Sequence, residues 1–123
     1  NTRRFEQLSE GITMITSHLD KMKGGWFVGC FDPTSFYSEE FEVGYKEFEK
    51  DEPHADHYHK MGTEINLITR GKVEFNGVVF GAGDIVIIEP GEKTKTRFIE
   101  DSSIVVVKTP SLPDDKFLCE DDT

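Results

Sequence analysis

The most restrictive feature of this sequence is how often turn-forming residues interrupt it. Eleven glycines and five prolines break the chain into short segments rich in Val, Ile, Phe and Thr. Apolar segments of about four to eight residues between such breaks are typical of β-strands, because helices need longer uninterrupted patterns. Asn76-Gly77 is the sharpest turn signal, since both residues tolerate the positive φ angles of a two-residue hairpin. The sequence therefore predicts an all-β protein built from antiparallel strands.

The same turn-forming residues also mark where the individual strands begin and end. With 123 residues and no visible linker, the chain predicts a single domain, an antiparallel sandwich or barrel. Residues 1–24 are predicted to form an N-terminal extension with edge strands, including helical turns at 5–10 and a first strand at 12–17. Residues 110–123 are predicted to be an irregular acidic tail. The remaining strands are predicted at 26–31, 41–49, 57–60, 63–70, 72–75, 78–80, 84–88, 95–99 and 104–108.

Charge and cysteine content exclude several classes of partner. Lys and Arg total 14 against 24 for Asp and Glu, which gives a net charge of −10. Such a chain repels nucleic acids and anionic membrane surfaces, and it lacks the run of about 18 apolar residues that spans a membrane. Cys30 and Cys119 do not form a disulfide framework, and free thiols are typical of a reducing compartment. We expect a cytoplasmic protein with a small-molecule partner, and neither nucleic acid nor membrane.

Three of the four histidines lie within a short segment. His57 and His59 are two residues apart in a predicted strand, so both side chains project from one face, which His54 cannot easily join. Glu64 follows a short connection and opens the next strand. Two imidazoles and one carboxylate on one wall suit a divalent transition metal with open positions: Fe, Mn, Ni, Co or Zn. The alternative is that the two histidines form a solvated pair without a ligand.

The spacing of these residues resembles the first sequence motif of the cupin superfamily. His57-Tyr58-His59, then Glu64, then Gly71 match its histidine pair, its glutamate and its closing glycine, although Asp51 stands where the opening glycine is expected. The resemblance covers about residues 41–109 and implies a jelly-roll barrel. It also implies a metal site formed by His57, His59 and Glu64.

The second cupin motif is less complete in this chain. The segment from Gly83 to Gly91 is similar to its opening, with Glu89 in place of a proline. The metal-binding histidine of that motif would fall at Thr94 and its asparagine at Phe98. We therefore expect at most three protein ligands, and the resemblance leaves open whether the chain binds any metal.

Strand parity extends the candidate site beyond the metal ligands. Side chains two residues apart in a strand share a face, so neighbours of Glu64 and Thr94 are expected to line the same pocket. The more apolar face of the predicted strand 41–49 leads to a phenol and a carboxylate. The candidate pocket residues are Tyr45, Glu47, Asn66, Thr94, Thr96 and Phe98.

Two functions remain open at this point. The first is a metal-dependent cupin that acts on a small polar metabolite. The second is a metal-free cupin of carbohydrate metabolism that binds, isomerises or epimerises a sugar or sugar nucleotide, with or without catalysis. Residues 83–116 resemble the corresponding segment of small stand-alone cupins of surface-sugar pathways. This resemblance favours a sugar-type ligand. We also expect a homodimer, with the aromatic segment 26–37, including Trp26, in the core or the dimer contact.

Overall fold

The computed structural model describes residues 14–119, and strands dominate it. Apart from one 3₁₀ turn at Leu19–Lys21, every regular element in this range is a strand. The eleven strands are β1 (Trp26–Gly29), β2 (Phe36–Tyr37), β3 (Glu42–Phe48), β4 (His57–Tyr58), β5 (Thr63–Arg70), β6 (Lys72–Phe75), β7 (Val78–Gly81), β8 (Ile85–Ile88), β9 (Thr96–Phe98), β10 (Ser102–Thr109) and β11 (Phe117–Leu118). The predicted all-β class is confirmed.

These strands form one large sheet and two small ones. The six-stranded sheet has the order β2-β1-β3-β10-β5-β8, and only the β1–β2 pair within it is parallel. The second sheet has the order β7-β6-β9, and β11 pairs with β4. A single bridge between His57 and Thr94 connects β4 to the segment that leads into β9. Most neighbouring strands are far apart in the sequence, as expected for a jelly roll.

The hydrophobic core lies between the two larger sheets. Ile68 of β5, Ile88 of β8 and Ile104 of β10 belong to the large sheet, and they form one buried cluster with Val73 of β6 and Phe98 of β9. Fully burying a side chain of this size stabilises the fold by about 1.5–3 kcal/mol. The sheets therefore pack face to face, and their inward side chains also shape the cavity described below.

The hairpin predicted at Asn76-Gly77 is present. The two residues have φ angles of 50° and 87°, and they connect β6 to β7 with Phe75 opposite Val78. Strands β5 and β6 have the predicted bounds, whereas β10 begins two residues earlier than predicted. Turn chemistry and alternation thus locate most of the strands.

Two terminal predictions differ from the structure. The predicted strand at 12–17 is wrong for residues 14–17, which form no regular element, while residues 12 and 13 and the predicted turns at 5–10 lie outside the described residues. At the other end, Phe117–Leu118 form β11 against β4, so this part of the tail is not irregular. Tertiary pairing orders it despite a weak local signal.

Cys30 and Cys119 are both free. Within residues 14–119, no helix has the length and apolar character needed to cross a bilayer.

Candidate metal centre and its cavity

A cavity of about 510 Å³ lies between the sheets. Its walls include apolar side chains from β3, β6, β9 and β10, among them Phe48, Phe75, Phe98 and Val106. Its size falls in the range of small-molecule sites, which are mostly apolar with a few convergent polar groups. The polar groups of the wall are therefore the ones that indicate which ligand and which reaction the cavity could support.

His57, His59 and Glu64 converge on this cavity. Their donor atoms all lie within 4.8 Å of one another, and the three residues are 8%, 3% and 9% exposed. His57 begins β4, His59 follows that strand directly, and Glu64 is the second residue of β5. The structure thus brings together the three predicted metal ligands on one buried wall.

Hydrogen bonds fix the ring of His59 on both sides. Its Nδ1 contacts the main-chain carbonyl oxygen of Asp115, and its Nε2 lies 2.9 Å from Oε1 of Glu64. A carbonyl oxygen only accepts, so Nδ1 must carry the proton and donate it. A neutral ring then turns the lone pair of Nε2 toward the carboxylate. Either a second proton or a cation must lie between these two groups. Metal-binding histidines usually donate their other ring N–H to a carbonyl or carboxylate, as His59 does to Asp115.

The carboxylate of Asp115 organises the connection between His59 and Glu64. It accepts hydrogen bonds from the backbone N–H groups of Lys60, Met61 and Gly62 at 2.9, 3.0 and 2.8 Å. Burial opposes ionisation of Asp115, but these three donors outweigh it and hold the pKa of the carboxyl below its usual value. Asp115 was not among the candidate site residues. Its partners lie more than fifty positions earlier, so no local signal points to it.

The electrostatics of the site favour an ionised Glu64 and a neutral His57. Burial would raise the pKa of Glu64, but its close contact with the ring of His59 and a hydrogen bond from Asn66 reverse this and place the pKa below its usual value. Burial also lowers the pKa of His57, and the charge of Lys116 lowers it further, against a hydrogen bond to the carbonyl of Ala55. A carboxylate and a neutral imidazole are the forms that bind metals.

Thr94 occupies the position at which the second cupin motif has its metal-binding histidine, and it is hydrogen-bonded to the backbone of His57. Its Oγ1 donates to the carbonyl oxygen of His57 at 3.2 Å, and its backbone N–H donates to the same oxygen at 3.0 Å. Thr94 therefore tethers His57, and the convergent donor group consists of three side chains. Asn66, Thr96 and Phe98 also line the cavity.

Tyr45 and Glu47 do not line the cavity, and this prediction is wrong. The Tyr45 hydroxyl donates to Glu47 Oε2 at 3.0 Å on the opposite face of β3, and Glu42, Lys46 and Phe48 project into the cavity. The prediction assumed that the more apolar face points inward. Here the face that carries Glu42 and Lys46 borders the cavity, so the other set of β3 side chains points inward.

His54 and Trp26 are also cavity residues. The ring of His54 lies edge-on to His57 with centroids 5.4 Å apart, although it does not belong to the group of three donors. Burial lowers the pKa of His54, as does the charge of Lys116. Trp26 packs partly against the core and lines the cavity, whereas the sequence favoured a core or dimer position. Strand parity could not find either residue, because a loop carries His54 and the register of β1 places Trp26.

Solved structures with the same architecture identify the fold. A conserved protein with a double-stranded β-helix domain from Klebsiella pneumoniae is 25% identical, with a TM-score of 0.59 over 68% of this chain and 78% of that chain. A cupin-2 domain protein from Shewanella frigidimarina is 16% identical, with a TM-score of 0.51 over 61% and 76%. A bacterial pirin from Escherichia coli, solved with nickel(II), is 16% identical, with a TM-score of 0.58 over 72% and 39%. No protein-family model and no curated protein matches the sequence.

Together with the strand order and the placement of the first-motif residues, these similarities define the class. The chain is a cupin-fold protein of the double-stranded β-helix type. This fold hosts many unrelated activities, so the site must carry the argument about function.

Proposed function

We propose that the chain binds one divalent transition metal ion through His57, His59 and Glu64 and uses it to act on a small polar metabolite. The observation that carries this proposal is the convergence of the three donor atoms within 4.8 Å on a buried cavity wall. Two donors that share an ion at about 2.0–2.2 Å lie about 3–4 Å apart, so small side-chain adjustments suffice.

The donor chemistry narrows the metal. Two imidazole nitrogens and one carboxylate oxygen, with no thiolate, suit Fe(II), Mn, Ni, Co or Zn. When bound, such an ion supplies Lewis acidity toward an oxygen of the metabolite. The nickel(II) in the pirin of the same fold supports a transition metal in this architecture.

The chain's own residues prepare the site. The carbonyl of Asp115 holds the ring of His59 with Nε2 toward Glu64, and the bridge to Thr94 holds the backbone of His57. Because Thr94 is engaged with that backbone, no fourth side chain joins the three donors in the described part of the chain. Open positions remain for solvent or metabolite, which is typical of catalytic sites.

Calorimetric titration tests the proposal directly. Untagged protein, freed of metal by a chelator, is titrated with Mn, Fe, Ni, Co and Zn salts at about pH 7.5. We expect one ion per chain for at least one metal, and a loss of about 100-fold or more in affinity for His57→Ala/His59→Ala. His18→Ala is the matched control, since its side chain is 69% exposed at the N-cap of the 3₁₀ turn. No stoichiometric binding, or equal binding by the double variant, would contradict the proposal.

Two observations favour a second candidate, a metal-free cupin that binds, isomerises or epimerises a sugar or sugar nucleotide. The 2.9 Å contact between His59 and Glu64 is complete with a proton alone, and Thr94 replaces a fourth ligand. The histidines would then serve as general bases or as hydrogen-bond donors to the ligand. In that case a chelator leaves ligand binding unchanged, whereas the metal proposal requires binding or turnover to fall and to recover when metal is restored.

A further inference from the structure

The cavity contains a concentration of lysines that the overall charge does not predict. Lys23, Lys46, Lys108 and Lys116 all line it, although the chain as a whole carries a net charge of −10. Two of the four are substantially removed from water: Lys46 is half-buried, and the side chain of Lys108 is 15% exposed. Lysines are seldom buried without a counter-charge, so their partners have to be accounted for.

Lys46 and Lys108 both contact the same aromatic ring. Their Nζ atoms lie 5.3 and 4.9 Å from the ring centroid of Trp26. The ring packs on Gly44, where a Cβ would come within 2.7 Å of Trp26 Cε3, so the glycine makes room for it. In the sheet, Gly44 is followed on the same face of β3 by Lys46, and Lys108 of β10 is opposite Glu42. Register therefore places the two ammonium groups beside one indole.

Among the described residues, three carboxylates line the cavity, those of Asp32, Glu42 and Glu64, and only Glu42 forms an ion pair with one of its lysines. Glu42 lies 3.8 Å from Lys108 and also accepts a hydrogen bond from Ser111, so it accounts for one of the two lysines. Lys46 instead donates to the main-chain oxygen of Gly24 at 2.6 Å, and its Nζ has no carboxylate of residues 14–119 within 4.0 Å. Burial and the positive charges of Lys116 and Lys108 lower the pKa of Lys46. Positive charge therefore remains to be balanced beside Trp26.

We propose that the cavity selects a small organic anion, whose carboxylate or phosphate group lies beside Trp26 at Lys46 and Lys108. Phe48 and Phe98 offer an apolar wall for its carbon skeleton, and its other end faces the histidines. The cationic wall, formed by Lys46 and Lys108 beside Trp26, is argued from geometry that does not depend on the proposed function. The orientation of the ligand toward His57, His59 and Glu64 rests on the proposed function.

Trp26 allows a test that needs no knowledge of the ligand, because it is the only tryptophan in the chain. Its fluorescence is quenched with iodide, caesium ion and neutral acrylamide at constant ionic strength. Despite the net negative charge, we expect iodide to quench at least about twofold more strongly than caesium, relative to the free indole side chain under the same conditions. Equal or weaker quenching by iodide would overturn the cationic wall.

Variants assign the effect to individual lysines. Lys46→Met should lower the iodide-to-acrylamide quenching ratio about twofold, because it removes a positive charge that no carboxylate balances. Glu42→Gln/Lys108→Gln removes one charge of each sign and should leave the ratio unchanged. Lys72→Met is the matched control, because this lysine is 57% exposed and pairs with Glu100 outside the cavity. A ratio that Lys46→Met leaves unchanged, or that falls equally in the control, would contradict the proposal.

Ligand binding is then measured with defined probes. Glutarate, inorganic phosphate and neutral glutaramide are titrated while the shielding of Trp26 from acrylamide is followed, with and without zinc. We expect glutarate or phosphate to shield the ring, glutaramide to shield it at least about tenfold less strongly, and Lys46→Met to weaken anion binding about tenfold. Whichever of the two anions binds identifies the group that is recognised, and equal shielding by glutaramide would overturn the inference.

Anion binding by zinc-free protein would support the cationic wall even if the metal proposal fails. If zinc binds but neither anion is preferred over glutaramide, the anion proposal fails and the proposed metal-binding function stands.

Discussion

Single hydrogen bonds decide what the candidate centre can do, and Asp115 makes the most consequential ones. Its carbonyl oxygen orients His59, while its carboxylate holds three successive N–H groups of the connection to β5. Asp115 thus sets both the tautomer of His59 and the distance from His59 to Glu64. Charge-assisted hydrogen bonds of this kind are stronger than neutral ones.

Replacing the carboxylate should therefore affect both stability and metal binding. We expect Asp115→Asn to lower the free energy of unfolding by about 1–2 kcal/mol and metal affinity by about tenfold, because the charged acceptor is lost. Urea denaturation and calorimetric titration measure the two effects. Asp114→Asn, at the exposed neighbouring position, is the control. Identical stability of the two variants would show that the three hydrogen bonds contribute little.

The lowered pKa values predict how stability depends on pH. The pKa values of His54 and His57 lie below the usual 6.5, so the unfolded chain binds protons there more readily and stability falls as pH drops below 6.5. The carboxyls of Glu64 and Asp115 also have lowered pKa values, so their stabilisation is complete above the usual 4.5 and 3.8 and is lost as pH falls through the lower folded values. We expect metal-free protein to lose stability in both ranges when urea unfolding is measured from neutral to acidic pH.

A variant separates the two ranges. Asp115→Asn should retain the loss below pH 6.5 and show a smaller loss below about pH 4, since only the carboxyl contribution is removed. A stability profile that is flat down to pH 4.5 in the parent protein would contradict the assignment to the histidines.

At the scale of elements, backbone conformation limits what the strand connections accept. Gly71, between β5 and β6, and Gly77, in the hairpin between β6 and β7, have φ angles of +88° and +87°. A Cβ at Gly77 would meet open space, whereas a Cβ at Gly71 would overlap the carbonyl oxygen of Asp101 and the side chain of Ser102. The same dihedral angle therefore occurs in two different packing environments.

This pair gives a matched test of the closing glycine of the first motif. Gly77→Ala should cost about 1 kcal/mol for the left-handed conformation alone. Gly71→Ala should cost at least about 3 kcal/mol, because the backbone of β10 would also have to move. Chemical denaturation of both variants measures the difference. Equal losses would mean that the approach of β10 to Gly71 is unimportant.

At the scale of the whole molecule, the assembly remains a proposal. We propose a homodimer, as the sequence predicts, but Trp26 now belongs to the cavity, and Phe36 and Tyr37 of the edge strand β2 remain 51% and 37% exposed. The opposite edge strand, β8, exposes Ile85 and Ile87 to 62% and 54%. Both edges offer apolar surface.

Light scattering at micromolar concentrations tests this assembly. We expect twice the chain mass of 14.0 kDa. Phe36→Ser/Tyr37→Ser should yield monomers if the predicted segment forms the contact, with Ile85→Ser/Ile87→Ser as the comparison. Monomers only in the second variant would place the contact on β8, and a monomeric parent protein would refute the dimer.

Local chemistry by itself determined much of this protein. Asn76-Gly77 placed a hairpin, because its residues tolerate positive φ. Alternation in β5 put Glu64, Asn66 and Ile68 on one face, because strand geometry repeats every two residues. The spacing of the histidine pair and Glu64 predicted the group of three donors that the structure assembles.

Tertiary structure alone decided the rest. Periodicity shows which residues of β3 share a face, but only the packing of the sheets decides which face points inward, so Lys46 lines the cavity and Tyr45 does not. Asp115 and Lys108 reach the site from distant parts of the chain, through hydrogen bonds and register that no local pattern encodes. The donor group could be predicted because its members are neighbours in sequence. The charges that surround it could not, because they become neighbours only in the fold.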